Sequence, residues 1–366
     1  MGKKNILVTG AAGFIGYHLI NRLLRNSIYN VWGIDNLNEY YDINLKYSRL
    51  RKLGISIKNK TDFEKIAIQS EEYSNFQFLK IDIADTKRLA ILFEEIKFSI
   101  IINLAAQAGV RYSIQNPDVY VNSNIQGFLN ILENSRKHEI EHLIYASSSS
   151  VYGLNGIPFS EEDPVDHPIS MYAVTKRTNE LMAHAYSHIY QLPVTGLRFF
   201  TVYGPFGRPD MAPFLFTNAI SKSEPINLFN YGDLQRDFTY IDDIVESIYR
   251  LITLSPQMGD NVKKNQIECN YKKINPASSL RAPFRLLNIG NDNPVDISYF
   301  ISLLEKHLGK KAIINKVPMQ DGDVKKTWAD ISKLYELTSY KPKTSIEEGV
   351  TKFIEWYKCY YCEKTN

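Results

Sequence analysis

The sequence predicts an α/β protein whose larger part is a doubly wound parallel sheet. Three observations lead to this fold class. Short apolar runs alternate with amphipathic stretches over the first two hundred residues, which is typical of repeated strand–helix units. After Arg198 the pattern becomes irregular, because Pro205, Pro209, Pro213 and Pro225 interrupt it. The chain of 366 residues is also longer than one average domain, so a smaller second domain is expected.

The predicted elements follow one another in strand–helix order. The strands are expected at Ile6–Val8, Val31–Ile34, Phe76–Ile81, Ile100–Leu104, His142–Ala146 and Val194–Phe199. The helices are expected near Phe14–Leu24, Thr86–Ile96, Tyr120–Arg136 and Ser170–Tyr190. We assign residues 1–198, with a returning segment near 236–254, to the sheet domain, and residues 199–235 and 255–366 to a smaller, irregular α/β domain. The polar stretch 255–283 predicts a solvent-exposed insertion.

Composition excludes several classes of partner. The 43 basic and 40 acidic residues are interspersed and give a formal net charge of only +3, so neither a nucleic acid nor a membrane surface is an expected partner. The chain starts without a signal-peptide pattern, has no apolar run long enough to cross a membrane, and contains only three cysteines, which predicts a cytoplasmic protein. Cys359 and Cys362 have the spacing of metal ligands, but no second pair completes a site, so no metal is expected.

A glycine-rich turn follows the first predicted strand. Gly10 permits a tight turn, Gly13 lets the backbone approach a diphosphate, and Gly16 lets the following helix pack closely on the strand. Phe14 and Ile15 open that helix, whose first amide groups attract an anion. In this context the turn predicts a dinucleotide site, and its G-x-x-G-x-x-G spacing resembles that of short-chain dehydrogenases.

Residues at the ends of the next strands complete the predicted cofactor site. Asp35 ends the second strand, and Asn36 follows it. A carboxylate at this position accepts hydrogen bonds from the adenosine ribose and repels a 2′-phosphate, so NAD is expected rather than NADP. The family resemblance implies further cofactor contacts from Asp82, Ile83, Ala105 and Ala106.

A tyrosine and a lysine stand one helical turn apart after the fifth predicted strand. Tyr172 and Lys176 therefore share one face of a helix, where Lys176 would also hold the nicotinamide ribose. A phenol of pKa about 10 is a poor base at neutral pH. The lysine ammonium and the positive nicotinamide would favour the phenolate, so that Tyr172 takes a hydroxyl proton. Among the serines that end the fifth strand, we favour Ser148 as the hydroxyl that contacts the substrate oxygen and keep Ser149 as the adjacent candidate.

Together these motifs resemble the extended short-chain dehydrogenase family over nearly the whole chain, which implies a Rossmann fold. The resemblance is most specific to the nucleotide-sugar 4-epimerases. The related 4,6-dehydratases have an Asp–Glu couple just before a Val-Tyr-Gly sequence, and the decarboxylases that form UDP-xylose have a glutamate there. This chain has Ser149 and Ser150 at those positions. Elimination of water therefore lacks its acid and base. The resemblance instead implies reversible oxidation to a 4-keto sugar, with NAD retained between turnovers.

Residues further along the chain indicate the substrate through the same resemblance. Arg236 matches the arginine that clamps a UDP diphosphate, and Asp323 matches a contact to the nucleotide ribose. Thr201 and Arg208 resemble the pair that receives a C5 carboxylate, which implies UDP-glucuronate as the substrate and UDP-galacturonate as the product. The small Thr327 keeps a UDP-N-acetylhexosamine, or its uronate, as the alternative substrate.

A function of another class also stays open, namely a catalytically silent NAD-binding regulator, because a fold does not establish a function. The complete set of Ser148, Tyr172 and Lys176 argues for an enzyme. Related enzymes commonly dimerise through the helices near Tyr120–Arg136 and Ser170–Tyr190, so a homodimer is expected.

Overall fold

The computed structural model describes residues 2–26, 28–56, 67–258, 277–279, 281–320 and 322–362, the side chain of Cys362 excepted. Most of the predicted insertion at 255–283 therefore lies outside the described residues. Within the described ranges, none of the helices has the length and apolar character needed to cross a membrane.

An eight-stranded sheet forms the centre of the structure. Its strands are β1 (Lys4–Thr9), β2 (Tyr29–Asp35), β3 (Ile68–Gln69), β4 (Phe76–Lys80), β5 (Ile100–Asn103), β6 (His142–Ser148), β7 (Val194–Phe199) and β11 (Phe284–Ile289). They lie in the order β11-β7-β6-β5-β1-β2-β4-β3, and only β3 runs antiparallel to its neighbour. The strand order reverses between β1 and β5, which is where open α/β sheets form a ligand crevice. The predicted doubly wound parallel sheet is confirmed.

Helices cover both faces of this sheet. One face carries α1 (Phe14–Leu24), α2 (Ile43–Lys52) and α9 (Ile241–Leu251), and the other carries α3 (Thr86–Glu95), α6 (Gly127–Lys137) and α7 (Met171–Tyr190). Consecutive residues of β1 point into different cores, since Ile6 and Val8 belong to one and Leu7 to the other. Burial on both faces explains why the strands are continuous apolar runs in the sequence.

The remaining elements form two small sheets and the helices around them. One sheet contains β8 (Thr201–Tyr203), β10 (Gln235–Tyr240) and β12 (Pro294–Asp296), and the other contains β9 (Pro225–Leu228) and β13 (Ile313–Lys316). The further α-helices of the described chain are α4 (Val110–Gln115), α5 (Pro117–Tyr120), α8 (Ala212–Lys222), α10 (Ile297–Leu308), α11 (Ser332–Thr338) and α12 (Ile346–Tyr357). A π-helical segment, Val121–Gln126, joins α5 to α6.

Strand β11 differs from the expected division into domains. Residues 284–289 were expected in the smaller domain, but they pair in parallel with β7, from Phe284 opposite Val194 to Ile289 opposite Phe199. A parallel neighbour is reached through a long crossover and not through a hairpin, so no local turn in the sequence reveals the pairing. The remaining domain boundaries stay a prediction.

Helix α2 is absent from the sequence prediction because its residues are largely polar. Its buried side chains include two leucines and, unusually, Lys46 and Arg49. Two leucines in ten residues give little periodic apolar signal. The helix therefore becomes visible only in the structure, where two of its four basic side chains, Lys46 and Arg49, are buried and face the carboxyl ends of the strands.

A buried ion pair joins α7 to the central strands. Arg198 of β7 donates from Nε and Nη2 to the two carboxylate oxygens of Glu180, at 2.8 and 2.9 Å, and both side chains are fully buried. Glu180 also accepts a hydrogen bond from Ser147 of β6 at 2.7 Å. The Arg198 guanidinium lies 4.7 Å above the ring of Tyr152. These contacts fix α7 against the carboxyl ends of β6 and β7.

We predict that Glu180→Gln destabilises the fold strongly. The substitution keeps the size of the side chain but leaves the Arg198 charge uncompensated in the interior, which typically costs about 3–5 kcal/mol. Urea denaturation followed by circular dichroism measures the free energy of unfolding. Glu348→Gln is the matched control, because the Glu348–Lys352 pair is exposed and should contribute less than about 0.5 kcal/mol. Equal effects of the two substitutions would show that the buried pair does not hold the helix.

Candidate active site

A cavity of about 350 Å³ lies at the carboxyl ends of the central strands. Its lining brings together the cofactor and catalytic residues named from the sequence, whose roles remain predictions. The predicted cofactor residues in the lining are Gly10, Gly13, Phe14, Ile15, Gly16, Asp35, Asn36, Asp82, Ile83, Ala105 and Ala106. The predicted catalytic residues in the lining are Ser148, Ser149, Tyr172 and Lys176. Thr201 and Arg208, predicted for the substrate, line the same cavity.

The glycine turn is closely packed, which explains its residue types. Gly10 has a left-handed φ of +70°, and a Cβ on it would lie 2.9 Å from the Ala105 nitrogen. A Cβ on Gly16 would overlap the carbonyl oxygen of Gly10. Helix α1 begins directly after the turn, with Gly13 as its N-cap. The turn therefore brings bare backbone and a helix N-terminus to the cavity, an arrangement that suits a diphosphate.

Asp35 is held by backbone groups and accompanied by a lysine. Its carboxylate accepts hydrogen bonds from Ala12 N at 3.2 Å and from Leu37 N at 2.8 Å. Lys46 Nζ lies 3.8 Å from Asp35 Oδ1 and donates to the carbonyl and side-chain oxygens of Asn38, both at 2.8 Å. The sequence analysis did not single out Lys46, because it lies on α2. Lys46 brings a buried cation to the Asp35 end of the cavity.

Helix α7 carries the predicted catalytic pair, Tyr172 and Lys176. Ser170 caps α7 by accepting a hydrogen bond from Ala173 N at 3.1 Å, so Tyr172 stands in the first turn of the helix. One turn later, Lys176 is buried, and its Nζ donates to the Ala146 carbonyl at 2.8 Å. Lys176 is thereby anchored to the end of β6, the strand that also carries Ser148.

The pKa shifts at this end of the cavity follow from burial. Burial raises the pKa of Tyr172, while a hydrogen bond with Ser148 and the positive charge of Arg208 oppose that rise. Burial lowers the pKa of Lys176 to about 8, with the charge of Glu180 acting in the opposite direction. A pKa of about 8 keeps Lys176 protonated at neutral pH, and its Nζ lies 6.0 Å from the centroid of the Tyr172 ring. The expectation that the ammonium favours the phenolate stays a prediction, and a bound dinucleotide, positive at the nicotinamide, would act in the same direction.

A short 3-10 turn, Ser149–Tyr152, fixes the hydroxyl of Ser148, the serine predicted to contact the substrate. The Ser148 hydroxyl accepts a hydrogen bond from Ser150 N at 3.2 Å and lies 3.1 Å from Ser150 Oγ, to which it donates. Ser149 lies beside it in the cavity lining. The local turn thus holds the Ser148 oxygen at the end of β6, facing the Tyr172 phenol.

Arg208 lines the cavity already paired with a carboxylate of its own chain. Its Nε donates to Asp210 Oδ1 at 3.0 Å, and its Nη2 contacts Asp210 Oδ2. The Tyr40 hydroxyl donates to the same Asp210 oxygen at 3.1 Å. Neither Tyr40 nor Asp210 was singled out from the sequence, although Asp210 follows Arg208 by two residues and forms an ion pair with it. The guanidinium of Arg208 is therefore engaged through two nitrogens by a carboxylate of its own chain.

Arg236 and Asp323 lie outside the cavity lining but next to each other. Burial lowers the pKa of Arg236, and the charge of Asp323 opposes that shift while the neighbouring Arg111 adds to it. Arg111 Nη2 lies 3.3 Å from Asp323 Oδ2, and the preceding residue, Val110, lines the cavity. The two residues predicted for the nucleotide therefore belong to one basic cluster that adjoins the cavity. Arg111 is the member of this cluster that the sequence analysis missed.

Comparison with known proteins places the chain in a family. The sequence family described as GDP-mannose 4,6 dehydratase matches residues 7–353. Protein CapI of Staphylococcus aureus is 48% identical over 357 residues, which cover 97% of this chain and 99% of that protein. A probable UDP-glucuronate 4-epimerase of Rhizobium meliloti (strain 1021) is 44% identical over 352 residues, which cover 96% of each chain. The crystal structure of UDP-glucuronic acid 4-epimerase from Bacillus cereus, in complex with UDP-glucuronic acid and NAD, aligns with a TM-score of 0.80 and 34% identity over 98% of this chain and all of that one.

A glycine turn, a carboxylate at the end of β2 and a Tyr/Lys pair on one edge of a doubly wound sheet define a dinucleotide-dependent enzyme of the Rossmann type. The chain belongs to the extended short-chain dehydrogenase/reductase family, in the group that the GDP-mannose 4,6 dehydratase description covers. The family, the fold and the class of NAD-dependent nucleotide-sugar epimerases predicted from the sequence are confirmed.

We predict that Tyr172→Phe lowers turnover of the nucleotide-sugar substrate at least about a hundredfold, the usual loss when a general base is removed. Bound NAD and thermal stability should change little, because the ring remains. Ser148→Ala should cost less, since it removes a hydrogen bond and not the base. Tyr186→Phe is the matched control on the same helix, because its hydroxyl bonds Glu133. A near-normal steady-state rate for the Tyr172 variant would remove this residue from the proton path.

Proposed function

We propose that this chain interconverts UDP-glucuronate and UDP-galacturonate by epimerisation at C4, using tightly bound NAD. The supporting observation is one cavity with Tyr172, Lys176 and Ser148 at one end and the glycine turn and Asp35 at the other. NAD fits these residues, because the bare turn accepts a diphosphate and the carboxylate accepts ribose hydroxyls. When bound, NAD supplies reversible oxidation of a secondary alcohol.

The residues at the catalytic end move and hold one proton. Tyr172 accepts the proton of the sugar O4 hydroxyl as C4 becomes a ketone, and returns it when C4 is reduced on the opposite face. Ser148 hydrogen bonds to the same oxygen and keeps it near the phenol. Lys176, anchored to the Ala146 carbonyl, holds the ribose beside the tyrosine and keeps a cation close to the developing phenolate. Net oxidation is zero, so the enzyme regenerates its own oxidant.

The charges of the cavity argue against elimination of water, the reaction named in the description of the family. Asp35 and Asp82 are the two carboxylates in the lining, and both belong to the adenosine end. Next to Tyr172, the positions that carry an acid and a base in dehydratases hold Ser149 and Ser150. Neither hydroxyl replaces a carboxylate as a base at neutral pH. Epimerisation needs only one proton acceptor and therefore agrees better with this lining.

We expect the purified protein to contain NAD without supplementation and to epimerise UDP-glucuronate. The protein is denatured, the NAD released into the supernatant is measured, and a panel of UDP-sugars is incubated with native enzyme before the epimers are separated. Conversion of UDP-N-acetylglucosamine in preference to the uronate would replace the proposed substrate but keep the reaction. Bound NAD with no conversion of any UDP-sugar would support the silent regulator instead.

The choice of a uronate rests on Thr201 and Arg208 in the lining. A carboxylate loses hydration on entering the cavity and needs a charged donor to offset that loss. Arg208 is such a donor, and its Nε and Nη2 hold the Asp210 carboxylate in this structure, so a uronate would compete with Asp210 for the guanidinium. Thr327, which keeps the N-acetylated alternative open, is buried, and its hydroxyl accepts a hydrogen bond from Asp237 N. It is not among the lining residues.

We predict that Arg208→Leu lowers kcat/KM for UDP-glucuronate well over tenfold and affects UDP-glucose much less. Removing one partner of a desolvated charge pair typically costs about 2–5 kcal/mol, and a neutral hexose makes no such pair. Steady-state kinetics with both sugars give the ratio, and UDP-glucose serves as the internal control. An equal fall for both sugars would mean that Arg208 positions the loop or the diphosphate and does not read the carboxylate.

We also propose a homodimer formed through α6 and α7. Helix α7 leaves an apolar stripe exposed along its outer face, with Val174 36%, Leu181 55% and Ile189 65% exposed. Leu181→Glu should shift the protein to monomers in sedimentation velocity, because a charge in an apolar interface is costly. The control, Ile313→Glu, changes an equally exposed residue of β13 and should leave the dimer intact. A monomeric wild type at micromolar concentration would contradict the proposal.

A further inference from the structure

Arg49 carries a buried positive charge that the proposed reaction does not use. It lies on α2, and its side chain is 0% exposed. Nη1 donates to the Ala12 carbonyl at 2.8 Å and to the Tyr41 hydroxyl at 2.7 Å, and Nη2 donates to the Phe206 carbonyl at 2.7 Å. Its Nε has no partner among the described residues. All three acceptors are neutral.

The described part of the chain gives Arg49 no carboxylate as an ion-pair partner. The nearby Asp35 is paired with Lys46 instead. A guanidinium held in the interior by neutral oxygens alone keeps most of the cost of its desolvation. The charge therefore favours binding of an anion nearby. Ala12 indicates which anion this is, because it stands between Gly10 and Gly13, two residues that line the cavity. Ala12 and Arg49 are themselves outside the lining, so the guanidinium lies behind the turn that faces a dinucleotide diphosphate and acts on it through the Ala12 carbonyl.

The other arm of Arg49 reaches the loop that carries Arg208. Phe206 has a left-handed φ of +57°, an uncommon conformation for a non-glycine residue. It belongs to a tight turn closed by the hydrogen bond from Gly207 N to the Gly204 carbonyl at 3.0 Å, and Arg208 follows this turn directly. The bond from Arg49 to the Phe206 carbonyl helps to hold that turn. One side chain thus connects the cofactor turn to the substrate loop.

We propose that Arg49 is a positioning residue that couples binding of the dinucleotide diphosphate to the order of the loop at 204–211. The diphosphate supplies the counter-charge that Arg49 lacks, and the fixed guanidinium then holds the Phe206 turn and places Arg208 in the cavity. The part that concerns Arg208 rests on the proposed function. The coupling itself concerns binding and loop order, and it holds whatever the sugar proves to be.

The test compares Arg49→Met and Arg49→Lys with Arg51→Met, a control that removes an exposed guanidinium from the same helix. NAD is stripped from each protein, its Kd is measured by calorimetry, and hydrogen exchange of the 204–211 peptides is followed with and without NAD. In the wild type and the control, we expect NAD to slow exchange of these peptides. In Arg49→Met, we expect the Kd for NAD to rise at least tenfold and the NAD-dependent protection to disappear.

The Arg49→Lys variant separates the effect of the buried charge from the effect of the hydrogen bonds that link the two loops. It also provides the test if the Arg49→Met variant does not fold. A lysine keeps the buried charge but cannot span both carbonyls with a planar fork. We therefore expect NAD to bind within a few-fold of the wild type while the protection at 204–211 is lost. Unchanged protection in Arg49→Lys, or a wild-type Kd for NAD in Arg49→Met, would overturn the coupling. Neither measurement involves turnover, so failure of the proposed epimerisation would be recognised separately.

Discussion

The geometry of the catalytic end depends on the buried ion pair between Glu180 and Arg198. Glu180 follows Lys176 by one helical turn and Tyr172 by two, so all three lie on one face of α7. The pair, with the Ser147 hydroxyl, locks that face to the ends of β6 and β7. The distance from phenol to serine is therefore set by a charge interaction in the interior. Buried ion pairs add little net stability compared with apolar packing. The contribution of this pair is therefore to hold α7 in one position on the sheet.

The two ends of the cavity differ in their charged groups. The carboxylates of the lining lie at the end with the glycine turn, where Lys46 accompanies Asp35, whereas the other end has a phenol, hydroxyls, a lysine and an arginine. Burial raises the pKa of Tyr172, whereas the hydrogen bond with Ser148 and the charge of Arg208 oppose that rise. A positive nicotinamide at this end of the cavity would oppose it further, so bound NAD would favour the phenolate.

The sequence predicts the parts of the molecule in which local pattern and chemistry coincide. The glycine turn, the buried parallel strands and the Tyr172/Lys176 pair each combine a characteristic spacing with a place in the strand order, and all appear in the structure where expected. Arg49 could not be predicted, because a basic residue on a polar helix carries no sign of burial. The pairing of β11 with β7 was missed for a related reason, since it joins segments distant in sequence through a long crossover.

That late pairing has a consequence for synthesis of the chain. β7 ends at Phe199, but its outer neighbour is complete only at Ile289, so the hydrogen-bonding edge of β7 stays open while about ninety residues are translated. At ribosomal speed this interval lasts roughly 5 to 20 s. During this interval β7, an apolar strand that is buried in the finished fold, offers unpaired backbone groups to any extended segment nearby. The nascent chain is therefore most exposed to wrong strand addition at the same edge that later carries the Arg198 side of the catalytic framework.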